Sequence, residues 1–262
     1  MRHLLRKGFS KMPKIILDSE TTGFSPQKGH RIVQIACIEI YDGNPVNRFN
    51  TYLNPGRDSD PAALRVHGLT SEYLADKPKF ADVADEFLAF INDAELVIHN
   101  APFDVSFLNR ELSLIKKPLI ENVCKKITDT RIMSKTLFTN DFLTRELVTK
   151  KLIEDEFLVQ ECRAKLGDDN EMLISALSKN QKFRIHSLDH LCKYYKINLL
   201  SRAEYHGAMV DCELLAQVYT HLEREGRKRM MLPSSSPAHA GLFQSRQSPQ
   251  TKSTAPSKLA HP

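Results

Sequence analysis

The stretch KIILDSETTG, residues 14–23, joins an apolar block to two acids. Ile15, Ile16 and Leu17 read as a buried strand. Side chains two apart on a strand share a face, so Asp18 and Glu20 are neighbouring carboxylates at its end. Thr21, Thr22 and Gly23 then break the strand and let the backbone turn close to a ligand. Two like charges side by side call for a cation, a shared proton or solvent. Hard divalent ions such as magnesium take one or two carboxylate oxygens together with water and substrate phosphates. Alone, an Asp-x-Glu pair is more often a solvated acidic turn, so the rest of the chain has to decide.

Downstream, RIVQIACIEIY (residues 31–41) alternates and is β-branched, Asp42-Gly43 is a turn signal, and residues 48–53 read as the returning strand. These segments make an antiparallel start to a sheet. A short helix over 61–66 is stopped by His67-Gly68, and Thr70 caps another short turn through Leu74. Phe80, Val83, Ala84, Phe87, Leu88 and Ile91 form an apolar stripe at helical spacing, which packs a helix on a sheet. Leu96–Ile98 is a buried strand that runs into HNAPFD. A helix follows with Phe107, Leu108, Leu112 and Ile115, then a strand near 126–128 and a helix over 130–138. Residues 140–182 are charged and helix-forming and read as a helical insertion. Ser187 caps a helix whose Leu188, Leu191, Cys192 and Tyr195 face inward, and the last helix starts just after His206 and ends near Arg224.

The chain of 262 residues suffices for one full core with extras. No apolar run is long enough to span a membrane, and the basic N-terminus has too short an apolar run for a signal peptide. The net charge of +5 is misleading, because residues 1–14 hold five bases and residues 226–262 six, with no acid in either. The part between is mildly acidic, so its charge alone argues for local rather than broad nucleic-acid contact. Five cysteines (Cys37, Cys124, Cys162, Cys192 and Cys212) lie at least 20 apart without metal-type spacing, as in a reducing, cytosolic compartment. Residues 1–13 read as a flexible extension, 14–229 as the folded domain, and the Pro- and Ser-rich residues 230–262 as a disordered tail.

Two further acids occupy comparable places. Asp104 stands where a helix begins, a position the helix dipole favours, so it also fits a plain capping role. Asp211, in HGAMVD, lies on the first turn of the last helix. His206, five residues earlier, falls on the entry loop, where it can reach over a site; alone, it also fits an ordinary surface residue. Together, four acids from three distant segments and one histidine suit two-metal phosphoryl hydrolysis. A neutral histidine, with an unperturbed pKa of about 6.5, can take a proton from water near neutral pH.

LDSETTG, HNAPFD and HGAMVD resemble the three exonuclease motifs of the DEDDh superfamily. VHGLTSEYLADKPKF, VADEF, AELVIHNAPFD and SLDHLC bring the resemblance to the ε proofreading family of bacterial DNA polymerase III, over residues 14–225 apart from the insertion. It implies an α/β, ribonuclease H-like fold, with a mixed sheet whose first three strands are antiparallel and with flanking helices. Asp18, Glu20, Asp104 and Asp211 match the metal-binding acids, holding two divalent ions, Mg²⁺ or Mn²⁺. His206 matches the general base, and His67 a residue beside the 3′-terminal nucleotide, which Asp18, Glu20 and Asp211 also contact. Ser19 replaces the commoner Thr, and Ala62 stands where close relatives can carry a nucleotide-contacting Glu.

The implied activity is 3′→5′ hydrolysis at single-stranded or frayed DNA 3′ ends, releasing 5′-mononucleotides, in the bacterial cytoplasm at the replisome. The implied partners are the polymerase catalytic (α) subunit, the θ subunit and the sliding clamp. Near the tail the resemblance implies a clamp-binding peptide for which Met230 and Leu232 would be the apolar anchors, but Arg227 stands where the family has Gln, and a frayed, basic helix end fits the same residues at least as well. The competing expectations are an RNA or single-strand end-trimming enzyme of the same superfamily, and an idle polymerase-binding module, against which the full catalytic set argues.

Overall fold

The computed structural model describes residues 12–150, 170–179, 184–200 and 207–231, together with residues 160 and 164. The extension over 1–11, Cys162, His206 and the tail from 232 lie outside the described residues.

A five-stranded sheet organises the domain: β1 (Lys14–Thr21), β2 (Ile32–Tyr41), β3 (Asn44–Tyr52), β4 (Glu95–Ile98) and β5 (Lys126–Asp129), in the order β3-β2-β1-β4-β5. The first three strands are antiparallel, while β4 runs parallel to β1 and β5 to β4. The hairpin is longer than the sequence suggests. Asp42 and Gly43 both take positive φ, 48° and 84°, as a two-residue primed turn requires. Pairing therefore starts at Asn44 rather than near Arg48, and Pro45 is tolerated because β3 is an edge strand.

Alternation along β1 sends its side chains into two cores. Ile15 and Leu17 join Ile35, Cys37, Phe49, Leu96 and Ile98 against α3 (Phe80–Ile91) and α4 (Pro102–Leu114). These follow the short helices α1 (Pro61–His67) and α2 (Ser71–Leu74). Phe90, outside the expected stripe, is buried with Phe87, their rings 5.8 and 5.9 Å from Phe49. Ile16 faces the other way, with Ala36 and Ile38, against the long terminal helix.

Between the cores run α5 (Ile120–Val123), a turn too short to show periodicity, and α6 (Thr130–Leu137). The insertion contributes α7 (Asn140–Thr149) and α8 (Asn170–Lys179). Leu143 and Leu147 of α7 and Leu173 and Leu177 of α8 are buried in the second core, so the insertion extends that core. α9 (Leu188–Tyr195) is capped by Ser187 as expected.

The last helix, α10, spans Ala208–Met231, seven residues beyond the expected end at Arg224. Gly226 is accommodated inside it next to Leu137, and cations in its last turn, Lys228 and Arg229, suit the negative helix pole. Met230 and Met231 are exposed there as helix rather than extended peptide. Among the described residues, no helix is long and apolar enough to cross a membrane.

Candidate active site

The alternation that builds the two cores also sorts the acids. Asp18 and Glu20 continue the Ile16 face of β1 toward α10, whose first turn carries Asp211. One carboxylate oxygen from each of Asp18, Glu20 and Asp211 lies within 4.8 Å of the others. Asp211 is buried, and its neighbour Cys212 points its thiol at the carbonyls of Ala36 (3.3 Å) and Ile16 (3.8 Å), fixing the helix against the strands. Gln34, paired with Glu20 across the β1–β2 ladder, accepts from the Ala208 N–H at 3.1 Å and donates to Asn50 at 2.9 Å. A strand side chain thus satisfies one free N–H of the α10 start.

Asp104 arrives from the other side of β1 and is not part of the three-acid group. It belongs to the α4 face, where Ser19 also points. Ser19 donates to Asp104 Oδ1 through both its backbone N–H (3.1 Å) and its hydroxyl (2.6 Å). Burial raises the Asp104 carboxyl to about 7, opposed by the Ser19 hydrogen bonds and reinforced by the charge of Asp129.

The turn that delivers Asp104 is held from the end of β5. Asp129 accepts from the N–H groups of Asn100 and Ala101, both at 3.1 Å, and from Arg131 at 2.8 Å as the cap of α6. Arg131 in turn donates to the Asn100 side chain at 3.0 Å, which steadies Asn100 at φ 65°. Behind the turn, Glu111 of α4 takes a two-pronged ion pair from Arg31 at 2.6–2.7 Å, and Arg31 is raised above its ordinary value by that bond. Neither Asp129 nor Glu111 was singled out in the sequence, because the contacts that matter here, Asp129 to Asn100 and Ala101 and Glu111 to Arg31, span 28 to 80 residues.

His67 ends α1, and Gly68 takes over the left-handed stop with φ 69°. His67 is buried, its Nδ1 accepts from the Leu69 N–H at 2.9 Å, and Nε2 completes no hydrogen bond among the described residues. Burial lowers its pKa, against a weaker opposite pull from the Thr21 backbone. His67 lines a cleft of about 400 Å³ with Gln34, Tyr52, Tyr73, Gly207 and Val210. The rings of Tyr52 and Tyr73 meet edge-on at 5.4 Å, and the Lys77 ammonium lies 4.7 Å from the Tyr73 ring. His206 itself lies outside the described residues, but Gly207, next to it, borders this cleft.

Three clustered carboxylates with a fourth behind the strand are a hard-oxygen donor set, and they fit divalent cations. Beside them, an aromatic-lined cleft can take a planar ring.

The family profile described as Exonuclease matches residues 15–163, which include the mixed sheet and the acids of β1. The chain belongs to this exonuclease family. In particular, it is 38% identical over 215 residues to the DNA polymerase III subunit epsilon of Rickettsia felis, a match covering 81% of this chain and 75% of that one. The Escherichia coli K12 subunit of the same name is 35% identical over 212 residues, covering 79% and 69%.

The fold is likewise shared with solved nucleases. The zinc-bound E. coli ExoI–ssDNA complex aligns with a TM-score of 0.57 at 14% identity, covering 84% of this chain and 42% of that chain. The nuclease domain of 3′hExo, a DEDDh family member bound to rAMP, aligns at 0.54 and 12%, covering 83% and 94%.

Proposed function

We propose that this protein is a metal-dependent 3′→5′ exonuclease that removes mispaired nucleotides from DNA 3′ ends for DNA polymerase III. The observation that carries the reading is the Asp18–Glu20–Asp211 cluster beside the cleft that holds His67. Asp18, Glu20 and Asp211 would hold the divalent ions, with Asp104 contributing from α4. Bound Mg²⁺ or Mn²⁺ supplies positive charge against the scissile phosphate and makes water easier to deprotonate.

The chain's own groups do the rest. His206 takes a proton from the attacking water. The water oxygen bonds to phosphorus while the bond to the 3′ oxygen of the preceding nucleotide breaks, releasing a 5′-mononucleotide. The aromatic cleft and His67 receive the terminal nucleotide, and a mismatched end reaches them more readily because it costs less to unstack.

The relatives' names support a place beside the polymerase catalytic subunit in the bacterial cytoplasm. The θ subunit and the sliding clamp are further partners in this reading, the clamp meeting the segment from Met230 to Leu232, of which Met230 is exposed at the end of α10.

The test is degradation of single strands labelled at either end, with Mg²⁺. The expected result is immediate release of a 3′ label as mononucleotide and a progressively shortened ladder from a 5′ label. Shortening from the 5′ end, or preferential loss of an RNA strand of the same sequence, would overturn it.

A further inference from the structure

We propose that His30 is a positioning residue, clamping the turn after Glu20 to the helix that ends in His67. The inference rests on the exonuclease reading, and its geometry involves no residue of the acid cluster.

His30 is buried between three groups. The Thr22 hydroxyl accepts from the Arg31 N–H at 3.0 Å, which leaves its own proton for His30 Nδ1 at 3.1 Å. The Nε2–H then faces Asp60 Oδ2 at 3.4 Å. Asp60 is the residue before α1, and its N–H donates to the Thr22 carbonyl at 2.8 Å. The imidazole therefore spans from the Thr21–Gly23 turn to the start of the helix whose last residue is His67. The Thr–His–Asp order looks like a nucleophile relay, but Thr22 is fully buried and cannot meet a substrate. The arrangement holds parts in place.

Gly23 supplies the independent observation. A Cβ added there would lie 2.4–2.7 Å from three atoms of the His30 ring. The glycine of LDSETTG is thus required by contact with the imidazole, since Gly23 is not among the positive-φ residues. The ring lies on the turn and sets its height above the sheet. Through Asp60, the same ring fixes where α1 starts and so where His67 meets the cleft. Loss of this wedge lets two walls of the nucleotide site drift independently, and small misplacements at a reacting site are costly.

The experiment compares wild type, His30→Ala, His30→Gln, Gly23→Ala and the His30→Ala/Gly23→Ala double variant, all at a temperature where each is folded by circular dichroism. Calorimetry with 5′-dTMP and Mg²⁺ reads the site apart from turnover, and steady-state kinetics on a single strand separates KM from kcat. His30→Ala is expected to weaken mononucleotide binding and raise KM by roughly 10-fold, with a smaller change in kcat. His30→Gln, which keeps a donor and an acceptor, should recover part of the loss. Gly23→Ala should be at least as harmful alone, yet add little once His30 is Ala. Unchanged binding and KM in folded His30→Ala, or equal harm from Gly23→Ala with and without His30, would overturn the inference while leaving the exonuclease reading intact. A wild-type protein that leaves every 3′ end untouched would sink the exonuclease reading and this one with it.

Discussion

Two buried polar regions of this domain are built on opposite terms. Around His186, both hydrogen-bond partners are neutral and matched: Asn140 accepts from Nε2 at 3.0 Å, and the Ser134 hydroxyl meets Nδ1 at 2.7 Å. Burial, with Lys135 and Arg131 nearby, pushes this histidine down to about 4, so it stays uncharged and ties α6, α7 and α9 together. At the ends of β1 and α10, by contrast, Asp18, Glu20 and Asp211 crowd three carboxylates into one place, with buried Asp104 behind them. A fold gains nothing from packing like charges together. The first region stabilises the domain, and the second, in the proposed reading, serves a cation and a phosphate.

If that contrast holds, substitutions should separate activity from stability. The largest effect belongs to Asp18→Ala or Glu20→Ala, which should cost turnover on mismatched 3′ ends on the order of 10³-fold or more, since several kcal/mol of transition-state charge stabilisation depend on the ions they hold. Their unfolding midpoint without metal should stay level or rise, because carboxylate repulsion is relieved. Parental rates with Mg²⁺ in either variant would break the comparison. His206→Ala should follow, lowering kcat by roughly 10²–10⁴-fold and flattening the pH–rate profile near the histidine's pKa. An unchanged profile would remove it from the mechanism.

On the other side, His186→Ala should leave kcat nearly untouched but cost about 2–3 kcal/mol of stability in urea titrations, because Ser134 and Asn140 lose their partner. The same histidine gives the region a pH signature. Its folded pKa is depressed below the ordinary histidine value, so the unfolded chain binds the proton more readily. The contribution is full above about pH 6.5 and is lost as pH falls toward about 4. The wild type should therefore lose roughly 3 kcal/mol across that window from this group, and His186→Asn should show a shallower decline in urea midpoints between pH 7 and pH 4.5.

Ser19→Ala is the smallest step and sharpens the contrast within the site. It removes one of two donors to Asp104 Oδ1, which predicts roughly tenfold slower turnover, the low end for lost support of a metal-site acid. Ser19→Thr, which keeps the hydroxyl, should be milder; a rate in Ser19→Ala equal to wild type would mean the backbone N–H alone orients the acid.

Much of this was legible in the sequence. The apolar block before Asp18 gave β1, alternation gave β2, and the spacing of Phe80 to Ile91 gave α3, because each rests on a local period. Asp18, Glu20 and Asp211 were legible too, as acids at element ends. Less visible was how they divide. Ser19 reads as a mild replacement for Thr, although strand parity turns it toward α4, and its meeting with Asp104 spans 85 residues. Gln34 at the start of α10 and His30 against Gly23 also depend on contacts that no local pattern encodes. The true start of β3 follows from the handedness of the Asp42–Gly43 turn, and the extra turns of α10 from packing near Leu137 and from basic residues at its end.

Whether the acids of β1 and α10 form a cation site is read most plainly by a calorimetric titration of Mn²⁺ into wild type and Asp211→Asn at equal concentration and pH. Clear heat of binding is expected in wild type, and at least tenfold weaker binding in a folded Asp211→Asn. Equal affinity in both, or no binding in wild type, would contradict it.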